Sequence, residues 1–84
     1  MWLDQTLYKA VGAALAAARV TADVTQQELA RSLRKPQSFI SSYESGQRRG
    51  DVLELVRICE ELGADPRKVF ADILVRHTKM KAKK

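Results

Sequence analysis

The sequence has 84 residues, of which 45% are hydrophobic and 30% are charged, and it carries a net charge of +5. This length suits one small domain, the composition is that of a globular protein, and no apolar run approaches the roughly 20 residues of a membrane span. One cysteine, Cys59, excludes an internal disulfide and a cysteine-based metal site, and the cytoplasm is the compartment that we expect.

The first two predicted helices occupy the N-terminal part of the chain. The first spans roughly residues 3–22, because apolar side chains recur there at spacings of three and four; they are Leu3, Leu7, Val11, Ala14, Leu15 and Ala18. The second spans about residues 25–33. It opens with "TQQE", a capping box in which the Thr25 hydroxyl and the Glu28 carboxylate each accept from the backbone of the other residue.

Three further helices are predicted. The third spans about residues 36–45, with Pro36 as its first helical residue and Gly46 as its left-handed end. The fourth spans about residues 51–62 and is expected to bury Leu53, Leu55, Val56, Ile58, Cys59 and Leu62. The fifth starts at Pro66. We therefore predict an all-α, compact five-helix domain over residues 1–75, followed by a basic tail, residues 76–84, that is disordered in isolation.

Charge is distributed unevenly along the chain. Residues 31–50 carry five bases against Glu44, whereas residues 51–65 carry five acids against Arg57. The tail adds five bases and no acid. A basic half beside an acidic half indicates a polyanionic partner on one side of the domain.

Three segments resemble the lambda-repressor-like helix-turn-helix family, the Cro and phage-repressor class. They are "TQQELARSL" at residues 25–33, "PQSFISSYESG" at 36–46 and "LGADP" at 62–66. The resemblance extends over residues 19–69 and includes the spacing between the helices. It implies that the third helix is the recognition helix, which enters the major groove of duplex DNA.

The residue chemistry of the third helix agrees with that role. Its outer face carries glutamine and serines where surface helices usually carry Glu, Lys and Arg. Glutamine can pair with the adenine edge, and serine can pair with several bases. The predicted base-contacting residues are Gln37, Ser38, Ser41 and Ser42.

The predicted phosphate contacts flank this face. They are Gln26, Arg34, Lys35, Gln47, Arg48 and Arg49, and they would position the protein without selecting sequence. The resemblance also implies a partly buried ion pair between Arg19 and Glu44 that joins the first helix to the third. Removing one partner should cost more than the loss of a surface pair, because the other charge stays buried.

Two turns depart from the family pattern. Arg34 stands where a glycine is common between the two helices, and Asp23 stands where a glycine is common after the first helix. We expect left-handed backbone at Asp23, and at Arg34 unless the turn differs. Lys35 replaces the usual Ser or Thr cap before Pro36.

The predicted function is a sequence-specific duplex-DNA-binding transcription regulator, acting as a homodimer because one recognition helix reads only a few base pairs. The candidate dimer residues are Val69, Phe70, Ile73 and Leu74, with the segment around Trp2 as another candidate. The sequence carries no catalytic set and indicates no cofactor, metal or small-molecule ligand. Two alternatives are an antitoxin or restriction-modification controller with a protein partner, and an adaptor that has lost DNA binding.

Overall fold

A computed structural model describes residues 4–82 and confirms the predicted all-α class. Five helices follow one another along the chain: α1 (Gln5–Thr21), α2 (Gln26–Ser32), α3 (Gln37–Glu44), α4 (Val52–Leu62) and α5 (Pro66–Ala82). No strand occurs within these residues. No helix in the same range is long and apolar enough to cross a membrane.

The helix boundaries follow local side-chain chemistry. The predicted capping box is present: the Thr25 Oγ1 accepts from Glu28 N at 3.0 Å, and Glu28 Oε1 accepts from Thr25 N at 2.9 Å. Gly46 is left-handed after α3, as predicted, with φ of 81°. Pro36 is the N-cap of α3 rather than its first helical residue, because its backbone is extended (φ −69°, ψ 155°) while its carbonyl accepts from Phe39 N.

All five helices contribute to the core, in which α1 packs against α3 and α5. It consists of Ala10, Ala14, Leu15, Leu29, Ala30, Ile40, Tyr43, Ile58, Cys59, Val69 and Ile73. Gly12 lets α1 approach the end of α3, since a Cβ at this position would lie 2.3 Å from the Tyr43 carbonyl oxygen and 2.6 Å from that of Glu44. This close approach fixes the C-terminal end of α3 against α1.

Both of the unusual turns have left-handed backbone. Asp23 has φ of 60° and Arg34 has φ of 58°. For side chains with a Cβ this region is disfavoured, and an arginine lacks the short polar group that eases it for aspartate. The turn between α2 and α3 therefore keeps the geometry for which the family uses glycine.

The expected burial of Leu53 is wrong. The residue is 80% exposed, whereas α4 buries Ile58 and Cys59. At 3.6 residues per turn Leu53 lies about 160° around the helix from Leu55, which packs against the core. Helical periodicity, rather than apolar character, decides which of these side chains is buried.

The predicted disorder of the tail is also wrong for residues 76–82. The fifth helix continues to Ala82 because Met80 packs against the core. Arg76 Nε also donates to Asp72 Oδ2 at 2.9 Å, four residues earlier. The last two lysines of the tail and the Trp2 segment lie outside the described residues.

Candidate nucleic-acid interface

A short turn holds α2 and α3 in a fixed relation. Its backbone N–H groups donate to the end of α2, with Arg34 N to Arg31 O at 3.0 Å and Lys35 N to Ala30 O at 2.9 Å. Ile40 and Tyr43 are buried on the inner face of α3. The opposite face of α3 is therefore directed outward.

That outer face carries the four predicted base-contacting residues. Gln37, Ser38 and Ser41 are exposed, and Ser42 is half-buried. The only charged side chain of α3 is Glu44, which is 10% exposed and engaged in an ion pair. The surface that α3 presents is thus uncharged and rich in hydrogen-bonding groups.

A hydrogen-bonded chain of side chains connects this face to α1 and α2. Gln37 Nε2 donates to Gln26 Oε1 at 2.8 Å, and Gln26 Nε2 donates to Glu44 Oε1 at 2.8 Å. The Gln26 amide nitrogen has a second hydrogen, which leaves it able to donate to a ligand. Sequence reasoning treated the two glutamines separately and missed their contact.

The structure contains the ion pair between Arg19 and Glu44. Arg19 Nε lies 2.6 Å from Glu44 Oε2 and Nη2 lies 3.1 Å from Oε1, while Nη1 donates to the Val24 carbonyl at 2.7 Å. The side chains are 15% and 10% exposed. The hydrogen bonds that Arg19 donates to Glu44 raise the pKa of Arg19 above its ordinary value, and the pair joins α1 to α3.

Exposed cations lie before and after α3 along the chain, and a glutamine accompanies the cation that follows it. Arg34 and Lys35 are exposed before it, and Gln47 and Arg49 are exposed after it. Arg49 Nε donates to the Tyr8 hydroxyl at 3.1 Å. These four side chains bracket the uncharged face.

Arg48 is placed differently from its neighbours. Its Nη2 lies 2.9 Å from Glu54 Oε2, and its Cζ lies 4.5 Å from the centre of the Phe39 ring. Glu54 also accepts from the Tyr43 hydroxyl at 2.5 Å. Hydrogen bonds from Arg48 and Tyr43 lower the pKa of Glu54, and burial raises the pKa of Tyr43.

Sequence reasoning missed Glu54 and Tyr43 as partners of Arg48. The available signal was an acid in the first turn of α4, six residues after Arg48. The acidic segment was instead interpreted as a separate half of the surface beside the basic one.

The dimer residues predicted on α5 separate into two groups. Val69 and Ile73 are 7% and 4% exposed and belong to the core of the protomer, so they offer little surface to a second copy. Phe70 and Leu74 are 54% and 50% exposed. They border an apolar groove that continues onto α4 at Val52, an exposed residue that the sequence analysis did not select.

Residues 4–82 contain no group of three or more His, Cys, Asp or Glu side chains that could hold a metal ion.

Comparison with known proteins identifies the fold family. A family model described as "Helix-turn-helix" matches residues 15–69. Among curated proteins, none matches the sequence.

Three solved structures are similar over most of the chain. Two are crystal structures of the clp gene regulator ClgR from Corynebacterium glutamicum. One is 30% identical, with a TM-score of 0.84 over 92% of this chain and 82% of that chain. The other is 32% identical, with a TM-score of 0.77 over 81% and 88%. An XRE-family like protein from Pseudomonas syringae pv. tomato str. DC3000 is 39% identical, with a TM-score of 0.72 over 82% and 84%.

The family model covers more than half of the chain, and its match contains α2, α3 and the ion pair behind them. The similar structures share the arrangement of helices over at least 81% of the chain. The chain therefore belongs to the XRE, or lambda-repressor-like, helix-turn-helix family and is a DNA-binding transcription regulator.

Proposed function

We propose that this regulator binds a specific duplex sequence with α3 in the major groove, as a homodimer on a two-fold-symmetric operator. The observation that carries the proposal is the uncharged outer face of α3, in which Gln37 is held by Gln26 and cations lie at both ends. A helix of this kind can approach base edges while the flanking cations meet phosphates. We place this activity in the cytoplasm, on the DNA of the nucleoid.

The side chains divide into two roles in this proposal. The base-contacting set is Gln37, Ser38, Ser41 and Ser42, and Gln37 is the strongest member because the bond to Gln26 restricts its amide. The phosphate-contacting set is Gln26, Arg34, Lys35, Gln47 and Arg49. A glutamine amide pairs bidentately with adenine, so adenine is the base that we expect Gln37 to contact.

The test is selection of bound sites from random duplex DNA, followed by binding measurements on the selected site over a range of salt concentrations. Gln37→Ala should relax the preference at one position by about 1–3 kcal/mol, whereas Arg49→Ala should weaken binding to all sequences alike and reduce the salt slope by about one. Recovery of no preferred sequence would reject the operator, and identical behaviour of the two variants would reject the division of roles.

The dimer surface that we propose is the apolar groove that α1, α4 and α5 line. Phe70, Leu74 and Val52 are exposed beside it, and two α3 helices are needed to read half-sites about one helical turn apart. A second copy would cover these side chains.

Sedimentation in solution and on operator DNA tests this surface. Phe70→Ser should shift the protein toward monomer and weaken binding to a two-half-site operator. Val75→Ser is the matched control, because Val75 is 51% exposed on the same helix but about 140° away from Phe70. Equal effects of the two substitutions, or binding of wild-type protein as one copy per operator, would contradict the assignment.

A further inference from the structure

We infer that Arg48 is a positioning residue, which fastens the segment between α3 and α4 so that its neighbours Gln47 and Arg49 meet phosphates. This differs from the phosphate contact that the sequence predicts for Arg48. The inference rests on the proposed DNA-binding function and adds to it by assigning a separate role within the basic segment.

The Arg48 guanidinium is already occupied within the protein. It pairs with Glu54 at 2.9 Å, and its Cζ lies 4.5 Å from the Phe39 ring centre and 5.7 Å from that of Tyr43. Its Nε is buried and has no hydrogen-bond partner among residues 4–82. A phosphate would therefore have to share a cation that is already paired with a carboxylate and lies against two rings.

The carboxylate is itself held in place. Glu54 accepts from the Tyr43 hydroxyl at 2.5 Å, and its backbone N–H donates to Asp51 Oδ1 at 2.8 Å. Tyr43 is 2% exposed and lies in the core. The Arg48–Glu54 pair thus connects the loop to the inner side of α3 and to the start of α4.

The loop between α3 and α4 is fixed at two other points. The N–H groups of Gln47 and Arg48 both donate to the Ser42 carbonyl, at 3.0 and 3.2 Å. At Gly50 the chain passes so close to Tyr43 that a Cβ would lie 2.0 Å from the Tyr43 hydroxyl oxygen. Arg48 belongs to the first of these points and is half-buried, whereas Gln47 and Arg49 on either side of it are exposed.

The two roles of Arg48 predict different dependences on salt. A lysine or arginine that neutralises one phosphate contributes about one to the slope of log Kobs against log salt, because it releases condensed counterions. A cation already neutralised by Glu54 releases none of its own, so its loss should lower the slope only through the contact that Arg49 loses, whereas a direct phosphate contact of Arg48 would add to that of Arg49. Removing both members of the pair keeps the net charge constant and isolates this difference.

The experiment compares the double variant Arg48→Met/Glu54→Gln with the control Arg49→Met on the selected DNA site. We expect the double variant to bind about tenfold more weakly, with a slope reduced by at most about one, because a displaced loop misplaces the phosphate contact of Arg49. Arg49→Met should reduce the slope by about one, and the triple variant that combines all three substitutions should have the same slope as Arg49→Met alone, because the contact of Arg49 can be lost only once. Circular dichroism at the assay temperature establishes that each variant is folded, since a purely stabilising role would lower the unfolding temperature without changing the affinity of folded protein.

Two results would overturn the inference: a triple-variant slope reduced by about two, as independent phosphate contacts of Arg48 and Arg49 require, or an unchanged affinity of the double variant. If the double variant Arg48→Met/Glu54→Gln does not fold, the DNA affinity of Glu54→Gln alone is measured instead. The salt concentration is about 0.15 M, where the Debye length is about 8 Å and distant charges are screened. Binding that weakens supports the positioning role, and binding that is unchanged or tightens rejects it. Failure of the wild-type protein to bind any DNA sequence would reject the proposed function itself. If the wild-type protein binds its site and one of the two contrary results is found for the variants, only the role of Arg48 is rejected.

Discussion

Glu44→Ala should strongly destabilise the protein. The carboxylate accepts three hydrogen bonds, from Arg19 Nε at 2.6 Å, Arg19 Nη2 at 3.1 Å and Gln26 Nε2 at 2.8 Å. Breaking a buried ion pair costs about 3–5 kcal/mol. Because these two side chains remain 10–15% exposed, we expect a somewhat smaller loss of roughly 2–4 kcal/mol.

Thermal unfolding followed by circular dichroism measures this loss. For a domain of 60–100 residues each kcal/mol shifts Tm by about 4–8 °C, so Tm should fall by at least about 8 °C. The matched control is Glu61→Ala, which removes an acid from an i,i+4 pair with Arg57 whose arginine is 54% exposed, and it should cost no more than about 1 kcal/mol.

The cause can be separated from the loss of side-chain volume. Adding Arg19→Met to Glu44→Ala removes the unpaired guanidinium, and it should recover at least about 1 kcal/mol of the loss. The reasoning is refuted if Glu44→Ala costs no more than Glu61→Ala, or if the second substitution adds a further loss in full.

Three other predictions concern the turns, the close approach of the helices and pH. Gly12→Ala should lower the free energy of unfolding, measured by urea titration, by about 2–3 kcal/mol, because the added Cβ meets backbone atoms of α3. Gly63→Ala should lower it by only about 1 kcal/mol, because Gly63 has left-handed backbone but open space around it. Equal losses of free energy in the two variants would contradict the steric argument. Arg34→Gly should raise the free energy of unfolding by about 1 kcal/mol, because it relieves the strain of left-handed backbone at this position. A variant with a lower free energy of unfolding would contradict this, since the arginine side chain would then stabilise the protein by more than the strain destabilises it. Arg48 lowers the pKa of Glu54. The stability that Glu54 adds relative to Glu54→Gln should therefore be fully present above about pH 5 and shrink as the pH falls through the lowered pKa. Urea titrations at several pH values test this, and a stability difference that grows on acidification would be inconsistent with it.

Local chemistry made much of the fold predictable from the sequence. The capping box at Thr25 and the glycine end at Gly46 depend on neighbouring residues alone, so short-range rules located them. The left-handed backbone of Arg34 and Asp23 followed from the family pattern, which requires that geometry even where glycine is replaced. The expected pairing of Arg19 with Glu44 depended on that same pattern, since nothing local connects residues 25 positions apart.

The misassigned residues are those whose environment depends on the packing of distant elements. Leu53 is apolar like its neighbours, and only the orientation of α4 leaves it exposed. Val69 and Ile73 appeared to exceed what a small core could hold, but α1 consists largely of alanine and glycine on its inner side and leaves room for them. The helical tail likewise depends on Met80 reaching the core, which its basic composition obscures.

The contact between Gln26 and Gln37 has a consequence for attempts to change which operator the protein reads. The side chain expected to read a base is oriented by a residue on a different helix, so its preference is a property of the pair. Transplanting residues 37–44 alone into a related scaffold should transfer specificity incompletely unless that scaffold also has a glutamine at the position of Gln26. In evolutionary terms, the two positions are expected to show epistasis, with each substitution acceptable only in the presence of the other.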